Sequence, residues 1–276
     1  MMFNFGKPSF SLWRFLPRVV IPMILYVWIG GGAQTWCRAE LSFLGEESDG
    51  RIDEALEGRI LKNMKSKGAH VFEKDGRVIE INFNHNTEVA DEDLKSIGKL
   101  IGITDLSLEK TQITSRGICQ LKNLSQLEWL NLYQTKIDDK ALECLKAMKS
   151  LKHLPLGETF ITDKGLRHLS AMEQLKFLGL RGNGITDKGM LHLKGLRRLE
   201  GLHLGFTNLT NRGIREIKGV VRLKKLWLQN TRITDEIVDV LAGFKSLSEL
   251  NIQRTHLTIE GVKKLRRKLP GCRIAY

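Results

Sequence analysis

A column of side chains able to bind a metal ion recurs every 24 residues. Cys144, His168, His192 and Glu216 lie at this interval, and thiolate, imidazole and carboxylate groups all coordinate transition metals. The interval places each of them on a separate helix, and packed helices lie roughly 8–10 Å apart. Two neighbours could share an ion but four could not converge. We therefore interpret the column as a solvated polar stripe and expect neither a metal nor a cofactor.

Spacings that require catalysis are missing from the sequence. It contains no G-x-S-x-G nucleophile elbow, no H-E-x-x-H zinc motif, no glycine-rich phosphate loop and no C-x-x-C pair. We therefore expect a protein without enzymatic activity. An enzyme whose site follows none of these motifs is the alternative in this class.

Aromatic and basic side chains recur at the same interval, and these could bind a partner. Aromatic groups that cluster on a protein surface commonly form binding sites. Whether they form one site depends on the elements that carry them. The candidates are Trp129, Tyr133, His153, Phe177, Arg181, His203, Phe206 and Trp227.

The interval belongs to a sequence repeat, with clear copies in LKHLPLGETFITDKGLRHLSAMEQ from Leu151 and LKFLGLRGNGITDKGMLHLKGLRR from Leu175. Apolar residues occupy positions 1, 4, 6, 11, 16 and 19. Positions 4 and 6 have the period of a strand with one buried face, and positions 16 and 19 have the spacing of a helical stripe. Between them, Thr162 suits a helix N-cap and Asp163 suits the positive end of that helix. Each unit is thus a short strand, a turn and a short helix.

Eight such copies follow one another and must stack. One unit buries six anchors worth roughly 2 kcal/mol each, whereas ordering its chain costs at least about 1 kcal/mol per residue. Only neighbours that bury each other's apolar faces make the array stable. The copies begin at Val78, Ile103, Leu127, Leu151, Leu175, Leu199, Leu223 and Leu247.

The pattern L-x-x-L-x-L-x-x-T-x-I-T-D-x-G-L-x-x-L-x-x-L resembles the leucine-rich-repeat family over about seven-tenths of the chain. Similar repeats occur in exported bacterial proteins and in F-box-type receptors. The resemblance implies an α/β fold, a right-handed solenoid or horseshoe with a concave parallel β-sheet and convex helices. It also implies that the concave face binds the ligand.

Residues on either side of a buried strand leucine point to the opposite face of the sheet, so positions 3, 5, 7 and 8 line the concave face. All eight aromatic and basic candidates fall at these positions. We predict that they bind a protein or polymer partner; surface aromatics merely covered by their neighbours are the alternative. Position 9, as at Thr159 and Asn183, is expected to satisfy backbone groups at the corner. Glycine at position 15, as at Gly165, is expected to permit close helix packing.

The first 39 residues have the composition of an export signal. Lys7, Arg14 and Arg18 precede an uncharged run over residues 19–37, and no acidic residue occurs before Glu40. We expect either a cleaved signal peptide or a membrane anchor retained at residues 19–37. The protein would then lie in the periplasm, in the cell envelope or outside the cell. The rival interpretation is an F-box-like substrate receptor of a cytosolic ubiquitin ligase.

The chain divides into five predicted segments. Residues 1–39 are the signal or anchor, and residues 40–50 a linker. Residues 51–77 are predicted to form an N-terminal cap made of a helix and a hairpin strand. Residues 78–270 hold the eight repeats, and residues 271–276 form a C-terminal cap strand. Such caps cover the apolar faces of the terminal repeats.

Positive charge is concentrated in the repeats. The chain has 44 basic and 31 acidic residues, and residues 96–276 alone carry 32 basic and 17 acidic ones. Basic helices could rest on an anionic membrane surface or an envelope polymer. A solvated face that keeps a repeat protein soluble accounts for them equally well. We expect no nucleic acid partner, because export would separate the chain from it.

Four cysteines are few for an exported protein. Cys119 and Cys144 lie at positions 17 and 18 of adjacent repeats, which separates them by about 100° around an α-helix. We leave their pairing open but do not favour it. The fold is expected to be stabilised by its core rather than by disulfides.

Overall fold

The computed structural model describes residues 54–276. The predicted signal or anchor, the linker and the first three residues of the predicted N-terminal cap lie outside the described residues. Within residues 54–276, none of the helices has the length and apolarity needed to cross a membrane.

A single ten-stranded sheet runs through the described residues, with its strands side by side in chain order. The strands are β1 (His70–Lys74), β2 (Arg77–Asn82), β3 (Asp105–Ser107), β4 (Trp129–Asn131), β5 (His153–Pro155), β6 (Phe177–Gly179), β7 (Gly201–His203), β8 (Lys225–Trp227), β9 (Glu249–Asn251) and β10 (Arg273–Ala275). β1 and β2 form an antiparallel hairpin, and every later pair is parallel. The hairpin turns at Asp75 and Gly76, whose φ angles of 52° and 72° are left-handed, a conformation that glycine adopts readily.

Short helical segments return the chain from one parallel strand to the next. The α-helices are α1 (Glu54–Ser66), α2 (Asp91–Ile97), α3 (Ser115–Ile118), α4 (Asp139–Leu145), α5 (Asp163–Leu166), α6 (Asp187–Met190), α7 (Asn211–Glu216), α8 (Val238–Leu241) and α9 (Ile259–Lys268). Between residues 54 and 276, four 3₁₀ segments lie at Cys119–Leu121, Arg167–Ala171, Leu191–Leu193 and Asp235–Ile237. The 3₁₀ conformation rises further per residue than the α-helix, so it lets a short return segment span the length of the repeat.

The leucine anchors form a continuous core between the sheet and the helical segments. In the repeat that begins at Leu151, the side chains of Leu154, Leu156, Ile161 and Leu166 are fully buried. Equivalent anchors are buried in the neighbouring repeats. This arrangement confirms the predicted α/β solenoid of strand, turn and helix units, in which each unit covers the apolar face of the next.

A column of buried polar side chains closes the corner after each strand. Thr207 Oγ1 donates to the Leu204 carbonyl oxygen at 2.6 Å, and the equivalent threonines make the same bond at 2.6–2.8 Å. Where Asn183 replaces threonine, its Nδ2 donates to the Leu156 carbonyl of the preceding repeat at 2.8 Å. Its Oδ1 also accepts from the backbone N–H of Thr159 at 3.0 Å. The structural role predicted for position 9 is confirmed.

Aspartates at position 13 connect each repeat to the next. Asp163 Oδ1 accepts from the Thr186 backbone N–H at 2.8 Å, and Asp163 Oδ2 accepts from the Thr186 hydroxyl at 2.5 Å. A Cβ on Gly189 would collide with Asp163 Oδ1 and lie 2.8 Å from Leu166 Cδ1. Asp163 also lies in the first turn of its own helix, and Thr162 is the N-cap, as predicted. The Asp163 carboxylate bonds to the following repeat, and the glycine makes room for this carboxylate as well as for the neighbouring helix.

Two interfaces between repeats use different residues. Ser115 occupies one aspartate position and accepts from the Asp138 backbone N–H through its Oγ at 2.9 Å. Ala141 occupies the glycine position that follows it. Because serine is shorter than aspartate, a Cβ fits there. At the other interface, Asn211 Oδ1 accepts from the Thr234 backbone N–H at 2.9 Å.

A disulfide bond joins Cys119 to Cys144, whose Cα atoms lie 5.1 Å apart. The sequence-based preference against this pair is wrong. It placed both cysteines on ideal α-helices, whereas Cys119 begins a 3₁₀ segment, in which successive side chains have a different angular spacing. Adjacent repeats are therefore cross-linked as well as packed. Cys272 is the free cysteine of the described residues.

Candidate partner-binding surface

Parallel register stacks equivalent residues of successive repeats on the exposed sheet face. At position 3, Trp129 pairs with His153, and His153 pairs with Phe177. At position 5, His203 pairs with Trp227. Neighbouring strands lie about 4.8 Å apart, so side chains at equivalent positions meet across the strands. The leucine between these positions points into the core.

Trp129 and His153 form one aromatic pair. Their ring centroids lie 5.7 Å apart at an interplanar angle of 30°. The indole Nε1 of Trp129 is buried without a hydrogen-bond partner among the described residues. Burial, assisted by the charge of Lys176, lowers the pKa of His153. The pair therefore presents two uncharged rings at neutral pH.

Phe177, Trp227 and His203 form an aromatic cluster on the central strands. The Phe177 and Trp227 ring centroids lie 6.2 Å apart, and those of His203 and Trp227 lie 5.5 Å apart, both edge to face. A Cβ on Gly201 would lie 2.8 Å from Phe177 Cδ2 and 3.8 Å from Trp227 Cζ3. Two rings therefore meet over a position that has no side chain. Trp227 Nε1 donates to Glu249 Oε1 at 3.0 Å, which fixes the indole.

A hydrogen-bonded polar cluster lies at the carboxyl ends of the strands. The Tyr133 hydroxyl donates to Glu158 Oε1 at 2.8 Å and accepts from Arg181 Nη1 at 2.8 Å. Arg181 also forms an ion pair with Glu158. Its Cζ lies 4.5 Å from the centroid of the Phe206 ring, a cation–π contact. The guanidinium is thus held in one orientation by three partners.

Burial and hydrogen bonding set the charges of this surface. Burial and the hydrogen bond to Glu158 raise the pKa of Tyr133 to about 12. Burial opposes ionisation of Glu158, but the hydrogen bonds from Tyr133 and Gln134 and the charge of Arg181 outweigh it and lower the pKa of this carboxyl group. Burial lowers the pKa of His203 to about 4. These groups keep their charge states throughout the neutral pH range.

Phe206 occupies a backbone position that disfavours a large side chain. Its φ is 60° and its surface is 43% exposed. The same position is left-handed in every repeat, and it is filled by Gly182 and Asn230 in the flanking repeats. The left-handed conformation costs a residue with a Cβ roughly 1–2 kcal/mol, and glycine or asparagine tolerates it best.

All eight residues predicted from the sequence lie on the exposed side of the sheet. The structure brings them together as the Trp129–His153 pair, the aromatic cluster and the polar cluster. Sequence reasoning missed Glu158 and Gly201. A signal for Glu158 was present, because this acidic residue stands at position 8 between Tyr133 and Arg181 of the flanking repeats. Gly201 interrupts the aromatic column at position 3, which could have indicated that the rings close over it.

The column of metal-ligand residue types lies on the helical side of the molecule. Cys144 is bonded to Cys119, so the prediction that it belongs to a solvated polar stripe is wrong. His168 is partly buried, and burial together with the charge of Arg167 lowers its pKa. Across residues 54–276, no three histidine, cysteine or acidic side chains lie close enough to hold a metal ion.

The repeat architecture is shared with known proteins. A family model described as a leucine-rich repeat matches residues 174–193. Among solved structures, internalin C2 of Listeria monocytogenes aligns with a TM-score of 0.59 at 20% identity, over 81% of this chain and 93% of its own. The chain has the leucine-rich-repeat fold.

A second solved leucine-rich-repeat structure aligns equally well. It is the ectodomain of the Arabidopsis receptor kinase HAESA in complex with an extended peptide hormone ligand. The TM-score is 0.61 at 16% identity, over 81% of this chain and 41% of the HAESA chain. A search of curated protein sequences gives no match. At these identities the likeness establishes the shared fold.

Proposed function

We propose that this leucine-rich-repeat protein is a non-catalytic binding protein that recognises a protein partner through its sheet face. The observation that carries the proposal is the aromatic cluster of Phe177, Trp227 and His203, with Arg181 and Phe206 beside it. Tryptophan and arginine are enriched in the few interface residues that carry most of the binding energy. A fold stabilised by buried leucines has no need of such residues on its exposed sheet.

The proposed surface is held rigid before any partner binds. Arg181 is fixed by Glu158, Tyr133 and Phe206, and the Trp227 indole is fixed by Glu249. Immobilising a flexible side chain on binding costs about 0.5–1.5 kcal/mol. Side chains already held in place avoid most of this cost, so their contacts contribute more fully to affinity.

Phe206 supports the same proposal from its backbone. The left-handed conformation belongs to the repeat itself, because His85, Lys110 and Gln134 adopt it at the same position with polar side chains. Glycine or asparagine, as in the flanking repeats, would satisfy this position at lower energy. An exposed phenylalanine there points to selection for contact with a partner.

The class of partner is supported by the structural comparison. The HAESA ectodomain was solved with a peptide hormone ligand. We infer that a polypeptide is also the partner of this chain, and an envelope polymer is the alternative that the experiment below distinguishes.

We further propose that the protein is exported. The basic and apolar start of the chain and the Cys119–Cys144 disulfide both support export. Structural disulfides persist in oxidising compartments and are rare in the cytosol. The disulfide therefore favours export over the F-box-like alternative, which requires a cytosolic location.

The proposal is tested by comparing three variants of the full chain in quantitative capture of partners from the producing cells. Phe206→Asn removes the exposed ring and places a residue that tolerates the left-handed backbone conformation at this position. Trp227→Ala opens the aromatic cluster. Leu191→Asn removes a side chain of similar exposure, 46% against 43%, from the helical side. We expect both sheet-face variants to lose a specific protein and Leu191→Asn to retain it.

Phe206→Asn is the decisive variant because it should leave the fold as stable as before. A folded Phe206→Asn variant that captures the same proteins in the same amounts as wild type would overturn the proposed surface. Selective loss of a polysaccharide instead of a protein would keep the surface but replace the partner class.

A further inference from the structure

A set of basic residues lies in the turns that lead from the helical segments back into β7 and β8. Each of these side chains belongs to an exposed residue. We call this set the basic turn patch, and it consists of Lys194, Arg197, Arg198, Lys218, Arg222 and Lys224.

Little acidic charge within the described part of the chain neutralises the basic turn patch. Lys224 Nζ lies 2.7 Å from Glu200 Oε2, and Arg198 Nη1 donates to the uncharged Gln174 Oε1 at 2.5 Å. The hydrogen bond from Lys224 and the charges of Lys176 and Arg222 lower the pKa of Glu200 despite its partial burial. Several cations thus surround one carboxylate. The patch therefore has a net positive charge available to a ligand.

The turn into β5 also carries three basic residues, Lys146, Lys149 and Lys152, but Lys146 is paired with Glu143 and Lys152 with Glu128. The two turns of the patch are the ones that add arginines to their lysines. The pair Arg197–Arg198 corresponds to Lys149–Ser150, Glu173–Gln174 and Lys245–Ser246 in other repeats. A surface that served only solubility would need no such concentration, since dispersed charges keep a protein soluble equally well.

We propose that the basic turn patch binds an acidic polypeptide segment. Arginine is the side chain best suited to carboxylates, because its planar guanidinium donates two parallel hydrogen bonds. The Lys224 backbone N–H donates to the Glu200 carbonyl at 2.8 Å, so the chains of adjacent turns lie about 5 Å apart. Same-side carboxylates of an extended peptide recur every ~7 Å, a spacing that the long arginine and lysine side chains can follow.

A polypeptide fits this patch better than a membrane surface does. Proteins that lie on membranes bury an apolar face beside their basic residues. In the turns of the patch, Val221 is the exposed large hydrophobic residue, and one valine cannot form such a face. The patch also adjoins the sheet face, since Lys224 directly precedes β8. A polypeptide on the sheet face could continue over these turns, although the inference does not require the sheet-face site.

The test measures binding of fluorescein-labelled hexaglutamate to the full chain by fluorescence anisotropy at low salt. We expect half-saturation below about 1 mM for the wild type, and weaker binding as salt is raised. Reversal of three patch charges in R197E/R198E/R222E should weaken binding at least about tenfold, since three attractive contacts with the carboxylates become repulsive. The neutral variant R197Q/R198Q/R222Q should weaken it less.

The matched control K140E/K164E/K188E makes the same change in net charge on exposed residues at the start of three helices. We expect it to reduce hexaglutamate affinity less than about threefold. Equal losses in the two reversal variants, or no binding by the wild type up to about 1 mM, would overturn the inference. So would capture by phosphatidylglycerol vesicles without binding of hexaglutamate. Trp227→Ala should bind hexaglutamate normally, which separates this result from the test of the sheet face.

Discussion

Replacement of Gly189 by alanine tests the connection between repeats. The added Cβ would collide with Asp163 Oδ1 and approach Leu166 Cδ1 to 2.8 Å. The carboxylate cannot withdraw freely, because it accepts two hydrogen bonds from Thr186. Overpacking of a well-packed site costs about 1–3 kcal/mol, which exceeds the gain of up to ~1 kcal/mol from placing alanine in a helix. We expect Gly189→Ala to lower the free energy of unfolding by about 1–2 kcal/mol.

Shortening the aspartate should relieve this collision. Asp163→Ser alone removes two hydrogen bonds to a charged group. Such bonds are worth about 1.5–3 kcal/mol each when buried and less at this partly exposed site. We therefore expect the free energy of unfolding to fall by about 2 kcal/mol. The natural pair Ser115 and Ala141 shows that serine and alanine fit together at an equivalent interface. In the D163S/G189A double variant, Gly189→Ala should therefore no longer lower the free energy of unfolding. This corresponds to a coupling free energy of about 1–2 kcal/mol between the two positions.

The coupling is measured by urea unfolding of the wild type, both single variants and the double variant. Equal m-values would show that all four proteins expose the same amount of surface on unfolding. Differences between their urea midpoints would then report differences in stability. If the stability loss of the double variant equalled the sum of the two single losses, the carboxylate would not be the reason for glycine at position 189. That result would refute the steric explanation.

Three further predictions concern the disulfide, the corner threonines and the buried histidine. Cys119→Ala/Cys144→Ala should lose about 3 kcal/mol, because the bond closes a loop across a sequence separation of 25 residues, and dithiothreitol should lower the unfolding midpoint of the wild type only. Thr207→Val should lose about 1–2 kcal/mol in urea unfolding, because the buried Leu204 carbonyl then lacks its side-chain partner. Burial holds the pKa of His203 at about 4, below its unfolded value, so the unfolded state binds the proton first and stability should fall as pH drops from about 6.5 to 4. His203→Asn should reduce this fall, as measured by unfolding midpoints at several pH values.

The repeat fold could be predicted because its cause is local and periodic. Leu154 and Leu156 face one way because side chains alternate along a strand, and the same pair in every copy forces the copies to stack. The corner role of Thr207 followed from the polar groups that any bend exposes. The sheet-face positions of Trp129, Phe177 and Trp227 followed from the same alternation.

Interactions between repeats were harder to predict, because they depend on contacts that a single repeat does not contain. Asp163 lies at the start of the helix in its own copy, as predicted, but its hydrogen-bond partner Thr186 lies in the next copy. The Cys119–Cys144 bond depended on a local 3₁₀ segment that helical periodicity did not indicate. The closure of two rings over Gly201 required the strand register.

Photo-crosslinking from position 177 tests the proposed binding surface most directly. A benzophenone amino acid in place of Phe177 keeps an aromatic ring on the central strand β6, and the same amino acid at Leu191 provides the control on the helical side. In intact producing cells, we predict that position 177 forms a covalent adduct with one distinct protein, that position 191 does not, and that adding Phe206→Asn removes the adduct. Equal adducts from both positions, or an adduct from position 191 alone, would contradict the account.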